Sequence, residues 1–267
     1  MSGVLSEAAA QPGLQPPAGD RIAIVGGCGA FGRALVESCL KLGLRVAVMD
    51  LPVSIEQHRP DGVDAAIAVD ATVEESVRAG FDEVGATWGG LDGLVNLAGF
   101  ATTPPVSVEE LSVAEWDRVV DGSLRTTFLT CRAALPLLRT GREASIVNMS
   151  SGLAFKSRPG FSSYTAAKAG VVGLTKTIAI ENAPEIRANA VAPSAAATEF
   201  LHGGTHLSAE ERSSAAWMDI ESYVAATPLR RLCEPADVVA PILFLLGPGS
   251  RFITGQTVHI NGGRETF

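Results

Sequence analysis

The sequence predicts an α/β fold: a doubly wound, parallel sheet of about seven strands in a single domain. Three observations lead there. Short, β-branched apolar runs alternate with longer helical stretches from residue 21 to the end. Several of those runs, such as 22-IAIVG-26 and 45-RVAVMD-50, are almost continuously apolar, the pattern of strands covered on both faces. No internal repeat or linker divides the chain, and 46% hydrophobic residues against 19% charged supply one large core.

The elements follow in order. The first strand, 22–26, leads through a glycine-rich turn into a helix at 31–43. Strands are expected at 45–50 and 64–70, a helix at 73–89 and a strand at 91–99. A long helical stretch covers 112–138, with Pro136 near its end. A strand at 144–151, a helix at 163–182 and a strand at 186–193 come next. A looser stretch, 194–227, precedes a helix at 235–247 and a last strand at 256–262. Residues 1–20 are rich in Ala, Gln, Pro and Gly and read as a flexible N-terminal tail. The ordered domain is expected over 21–267.

Charge and composition exclude several function classes. The 21 basic and 29 acidic residues give a net charge of −8, which disfavours nucleic acid and anionic membranes as general partners. The apolar run 239-VAPILFLL-246 is too short to span a bilayer, and residues 1–20 lack the pattern of a signal peptide. Cys28, Cys39, Cys131 and Cys233 are widely spaced and read as free thiols of a reducing, cytoplasmic setting. His202 and His206 stand four apart, but Gly203 and Gly204 between them break a helix, so no metal is expected.

Ligands of such sheets bind outside the carboxyl ends of the strands. The turn 26-GGCGAFG-32 follows the first strand and opens a helix. Gly26, Gly29 and Gly32 let the backbone turn tightly and approach a pyrophosphate resting on the helix N-terminus. The plainer alternative is a tight strand-to-helix turn. Asp50 ends the second strand, 18 residues after Gly32, where a carboxylate accepts ribose hydroxyls and repels a 2′-phosphate. Leu51 follows in place of an arginine, so NAD is favoured over NADP. Asp70 ends the third strand and reads either as an adenine contact or as a cap of the next turn.

The chemical end is marked by Ser150-Ser151 at the end of the fifth strand and by 164-YTAAK-168, 13 residues beyond Ser151. Tyr164 and Lys168 stand four apart on a helix and share a face. A nearby ammonium and a nicotinamide's positive charge are expected to lower the phenol from its ordinary ~10, and Ser151 is placed to hydrogen-bond a substrate oxygen.

With these motifs in place, the chain resembles the short-chain dehydrogenase/reductases, from about residue 21 to 263. The carriers are GGCGAFG at 26–32, Asp50, Asp70, NLAG at 96–99, IVNMSS at 146–151, YTAAK at 164–168, IRANAVAP at 186–193 and ITGQTVHINGG at 253–263. The resemblance implies a Rossmann-like fold, NAD, and hydride transfer between the nicotinamide and a secondary alcohol or ketone. It assigns Tyr164 as acid/base, Lys168 as the group that lowers its pKa and holds the nicotinamide ribose, and Ser151 as the orienting hydroxyl. Around the cofactor it places Gly26, Cys28, Gly29, Ala30, Phe31 and Gly32 at the pyrophosphate. Asp50, Leu51, Asp70, Ala71, Asn96, Ala98 and Gly99 fall at the adenosine and ribose, and Pro193, Ala195, Ala196 and Thr198 at the nicotinamide.

Three positions depart from the compact members of the family. Val25 and Ala30 stand where Thr and a middle Gly are usual, so the loop resembles that of the extended members. Ser123 stands where an Asn usually joins a proton relay to the lysine, and is taken as the fourth catalytic residue. Ser194 follows Pro193 where Gly is usual. These departures keep two alternatives open: an NAD-binding scaffold or sensor with little catalysis, and an epimerase or dehydratase.

The stretch 194–227 corresponds to the family's substrate lid. Ser208 and Glu211 form a capping-box pattern within it. Phe200, Leu201, Trp217, Met218 and Tyr223 are expected to wall a largely apolar pocket, with Phe100, Leu153 and Phe155 opposite. Lys156 and Arg158 read as solvent-facing charges rather than as a contact for an anionic substrate. The resemblance also implies a homodimer or homotetramer, paired through helices 112–138 and 163–182.

Overall fold

The computed structural model describes residues 13–102, 104–202 and 218–266. Seven parallel strands form one sheet: β1 (Arg21–Val25), β2 (Arg45–Asp50), β3 (Ala65–Ala68), β4 (Gly93–Asn96), β5 (Ser145–Met149), β6 (Arg187–Pro193) and β7 (Thr257–Ile260). Their order is β3-β2-β1-β4-β5-β6-β7. β1 is thus flanked by β2 and β4, pairing Ile24 with Val48 on one side and with Val95 on the other. The order reverses between β1 and β4, and the cleft expected of such sheets opens beyond those carboxyl ends.

Among the described residues the helices are α1 (Ala30–Lys41), α2 (Pro52–His58), α3 (Glu74–Trp88), α4 (Val113–Val120), α5 (Thr126–Leu138), α6 (Ser162–Asn182), α7 (Ile220–Ala225) and α8 (Pro235–Leu246). Side-chain alternation along β1 builds a core on each face. Ile22 and Ile24 face Leu35 and Val36 of α1 and Val238 and Ile242 of α8. Ala23 and Val25 face Val77 and Phe81 of α3, Leu129 of α5 and Ile178 of α6.

Two features differ from the sequence expectation. A helix, α2, follows β2, with Pro52 in its first turn, where the rigid φ of proline suits helix entry. The stretch expected as one helix over 112–138 is instead α4 and α5 joined by a π-helical turn, Asp121–Arg125. Pro136 lies inside α5. Residues 13–20 lie against the domain rather than apart from it: Pro16 is buried, Gly19 N donates to Gly43 O at 2.9 Å, and Arg142 Nη2 donates to Asp20 at 2.9 Å. Residues 1–12 of the expected tail fall outside the described residues.

All four cysteines are free and buried. Among the described residues no helix is long and apolar enough to cross a membrane.

Candidate active site

One cleft runs from the glycine turn, past the ends of β4, β5 and β6, to the C-terminal segment. It is lined by Gly26, Gly29–Gly32, Gly99, Ser151, Tyr164, Lys168, Pro193, Ala195, Ala196 and Thr198 among others. Thirteen of the residues expected at the cofactor or the chemistry therefore face one space.

The glycines of the turn serve two different needs. Gly26 has φ +81°, and a Cβ there would stand 2.8 Å from Ala98 N; one on Gly32 would stand 2.4 Å from Gly26 O. These two are required by the packing of the chain on itself. Gly29 is different. It caps α1 with φ −71°, a value open to any residue, and a Cβ there would meet only Gly26 O at 3.5 Å. Its lack of a side chain leaves open the cleft it lines, directly before the α1 N-terminus. No side chain caps that terminus and no acidic residue occupies the first turn, so its N–H groups and partial positive charge face the cleft. A pyrophosphate fits this cradle.

Asp50 stands at the end of β2, half-buried, and accepts from Cys28 N at 2.9 Å and Leu51 N at 2.8 Å. Its carboxylate thus ties the glycine turn to the β2 end. Cys28 itself is fully buried, and burial, with Asp50 beside it, pushes its thiol up to about 12. The Cys28 side chain does not face the cleft, contrary to its expected place there; the residue serves through its backbone. Arg33 Nη1 donates to Cys28 O at 2.6 Å, while its Nη2 bonds Glu199 at 2.9 Å, so an ion pair spans from α1 to the segment after β6.

Three other expected adenosine-side residues are placed differently. Asn96 is buried, and its amide is spent in a network: Nδ2 donates to Asn148 Oδ1 at 2.8 Å, and its Oδ1 accepts from Thr130 Oγ1 at 2.8 Å. A buried amide takes such partners because leaving its donors and acceptor unmade is costly. Asp70 accepts from Thr72 N at 2.9 Å and Thr72 Oγ1 at 2.7 Å, which is the turn-capping alternative. Ala71 packs beside the core on the α3 side. Ala98 and Leu51, like these three, are not among the residues lining the cleft.

At the chemical end, Ser151 ends the segment after β5, and Tyr164 and Lys168 lie on α6, all three buried. Tyr164 hydrogen-bonds Ser151, and the Lys168 ammonium lies 5.6 Å from the Tyr164 ring centroid. Lys168 Nζ donates to Met149 O at 2.9 Å, and Ser150 Oγ donates to Lys168 O at 3.0 Å. Burial pushes the Tyr164 phenol up to about 12, opposed by the Ser151 hydrogen bond, and pushes the Lys168 ammonium down to about 8. In the protein alone, burial is the leading influence on the phenol; the expected lowering also invoked a nicotinamide's positive charge.

Ser123 does not line the cleft. It lies fully buried in the π-helical turn, and its Oγ has no hydrogen-bond partner among the described residues. A Cβ on Gly99 would stand 3.0 Å from that oxygen and 2.9 Å from Lys168 Nζ. The hydroxyl and the ammonium therefore converge just behind the cleft wall. Turns of this kind inside helices are frequent at functional sites.

The substrate side is walled by Ala101, Leu153, Phe161, Phe200, Met218 and Tyr223. Phe155 instead packs edge-on to His259 at 4.4 Å, and Phe100 lies under the Arg118 guanidinium at 4.3 Å. Trp217, His206 and the Ser208/Glu211 pattern lie outside the described residues. Lys156 and Arg158 line the cleft, as do Glu199, Arg264 and Glu265. Sequence reasoning missed Arg33, Glu199, Arg264 and Glu265, because an isolated charge carries no periodicity or motif.

The family model described as enoyl-(acyl carrier protein) reductase matches residues 29–265. The 3-oxoacyl-[acyl-carrier-protein] reductase FabG of Staphylococcus aureus is 32% identical over 248 residues, 90% of this chain and 96% of that protein. The cis-4-hydroxycyclohexanecarboxylate dehydrogenase of Sinomonas cyclohexanicum is 34% identical over 251 residues, 91% of this chain and 96% of that protein. Among solved structures, the 3-ketoacyl-(acyl-carrier-protein) reductase of Brucella melitensis complexed with NADH superposes with a TM-score of 0.82 at 29% identity, covering 93% of this chain and 99% of that one.

Proposed function

The chain belongs to the short-chain dehydrogenase/reductase family, and from that premise we propose that it is an NAD-dependent oxidoreductase interconverting a secondary alcohol and a ketone. The observation that carries this reading is the convergence of Ser151, Tyr164 and Lys168 on the same cleft as the Gly29 cradle. Relatives named as a 3-oxoacyl-[acyl-carrier-protein] reductase and as a cis-4-hydroxycyclohexanecarboxylate dehydrogenase support the reaction class.

A nicotinamide cofactor supplies or accepts the hydride. The chain's own groups do the rest. Gly29 and the α1 N-terminus hold the pyrophosphate. Asp50 accepts the adenosine ribose hydroxyls and disfavours a 2′-phosphate, which supports NAD. Ser151 Oγ holds the substrate oxygen in hydrogen-bond reach of Tyr164 Oη. In the reductive direction the phenol, kept protonated by burial, donates its proton to the forming alkoxide. In the oxidative direction the phenolate receives it, and the positive charges of Lys168 and the cofactor stabilise that phenolate. Ser123, behind Lys168, supports the return of the proton. The segment from Ser194 to Thr227 serves as the substrate lid. A homodimer or homotetramer is supported by apolar side chains left exposed on the paired helices, Phe128 on α5 and Ile180 on α6.

The direct test is Tyr164→Phe. Loss of the hydroxyl is expected to lower turnover on secondary alcohols by about 10²–10⁴-fold while NADH binding, read by cofactor fluorescence, stays intact. Retention of turnover removes Tyr164 as the acid/base.

A further inference from the structure

The substrate end of the cleft is more basic than the rest of this acidic protein. Lys156, Arg158, Lys168 and Arg264 line it, against Glu199 and Glu265. Glu199 is paired with Arg33, and Glu265 lies 3.7 Å from Arg264. The Arg264 guanidinium is nearly buried. It donates to Tyr223 O at 3.0 Å and stacks on the Tyr223 ring at 3.8 Å. Its function is structural: it fixes Tyr223, whose hydroxyl in turn accepts from Ala195 N at 3.1 Å in the loop after β6.

Arg158 is different. Its guanidinium lies 5.3 Å from the centroid of that same Tyr223 ring, an arrangement that orients a cation without neutralising it. Neither Arg158 nor Lys156 forms an ion pair among the described residues, although the chain carries 29 acidic side chains. Both lie on the connection from Ser151 to α6, which brings them to the cleft that holds Ser151 and Tyr164. The glycine turn lies on the β1–α1 connection, away from the segment after β5 that carries Lys156 and Arg158, so these cations are assigned to the substrate side.

We propose that Arg158, with Lys156 beside it, is the docking point for a carboxylate carried by the substrate at a distance from its reacting carbon. The substrate class is therefore a hydroxy or keto acid whose apolar middle lies against Leu153, Phe161, Phe200 and Met218. This rests on the oxidoreductase reading above and narrows it. A planar guanidinium pairs with a carboxylate through two parallel hydrogen bonds, which fixes the orientation of the substrate as well as its affinity. The positive potential at the cleft mouth also steers an anion inward past an otherwise repelling surface.

The test is calorimetric titration of the wild-type protein, with and without saturating NADH, using keto acids from 4-oxopentanoate to 8-oxononanoate and the matching amides. At one chain length the acid is expected to bind at least tenfold tighter than its amide. Arg158→Ala is expected to abolish that preference, Arg158→Lys to retain part of it, and Lys156→Ala to weaken it, with NADH affinity unchanged in each. Equal binding of acid and amide at every length, or no binding of either, overturns the proposal, as does a preference that survives in the Arg158→Ala/Lys156→Ala double variant. Failure of the oxidoreductase reading shows separately, as absence of NADH binding; the preference measured without cofactor still decides the anion site.

Discussion

Ser123 and Lys168 both crowd Gly99: the serine oxygen lies 3.0 Å, and the lysine nitrogen 2.9 Å, from the point where a Cβ on Gly99 would stand. The π-helical turn brings the hydroxyl there, and Gly99, at φ +150°, leaves the space between them open. Ser123 Oγ has no partner among the described residues, and the proposed relay gives it one during turnover; Ser123→Ala is therefore expected to lower kcat about fivefold, the value of one hydrogen bond near 1 kcal/mol, with little change in the KM for cofactor. Gly99→Ala is expected to be far more damaging, because the new methyl takes the space and strains the backbone. Steady-state kinetics of both variants check this; an unchanged kcat in Ser123→Ala removes Ser123 from the proton path.

The glycine turn separates packing from ligand binding. Gly32→Ala places a Cβ 2.4 Å from a backbone oxygen, and overpacking of this kind costs about 1–3 kcal/mol or more, so its Tm is expected to fall. Gly29→Ala meets nothing closer than 3.5 Å. It is expected to keep the wild-type Tm yet weaken NADH by about tenfold, equivalent to ~1.4 kcal/mol. Thermal melts and NADH fluorescence titration of the two variants give the contrast. Equal loss of stability in both contradicts the division of roles.

The proposed NAD preference rests on Asp50. Asp50→Asn keeps an acceptor for only one of Cys28 N, on Oδ2, and Leu51 N, on Oδ1, so the turn loses one of these two bonds, and the charge proposed to oppose a 2′-phosphate is gone. The ratio of kcat/KM for NADP over NAD is expected to rise by about tenfold, in line with ~1.5–3 kcal/mol for a charged hydrogen bond. An unchanged ratio in matched assays means that another group sets the preference.

Far from the cleft, Asp20 gives a pH signature. Burial, with Asp92 nearby, raises its carboxyl from 3.8 to about 6, against the opposing pull of Arg142. Between those values the folded protein holds a proton that the unfolded chain has released. Asp20's contribution to stability is therefore largest below about pH 4, is lost as pH rises to about 6, and is constant above. Asp20→Asn is expected to flatten that fall. Denaturant unfolding of both proteins between pH 4 and 7 measures it, and parallel curves rule Asp20 out as its source.

The strands, the glycine turn and the gathering of Ser151, Tyr164 and Lys168 at one cleft are legible in the sequence, because each depends on local pattern: apolar alternation, glycine at a turn, a four-residue spacing on one helix face. Expectation fails where a side chain has two possible surroundings. Asn96 follows the pattern of a cofactor contact, yet three buried partners on other elements claim its amide. Lys156 and Arg158 read as solvent-facing and are indeed exposed, and the fold also sets them at the edge of the cleft, which their sequence neighbourhood does not show.

By itself, then, the sequence determined the doubly wound sheet and the glycine turn that opens α1, since periodicity and backbone freedom are properties of neighbouring residues. Tertiary structure alone decided that α4 and α5 join through a π-helical turn, that burial raises the Tyr164 phenol, and that Arg264 reaches back to hold Tyr223 beside Arg158. Desolvation and charge pairing depend on which distant segments close around a group. Residues as far apart as Arg158 and Arg264 carry no mark in their own neighbourhoods that they will share one aromatic ring.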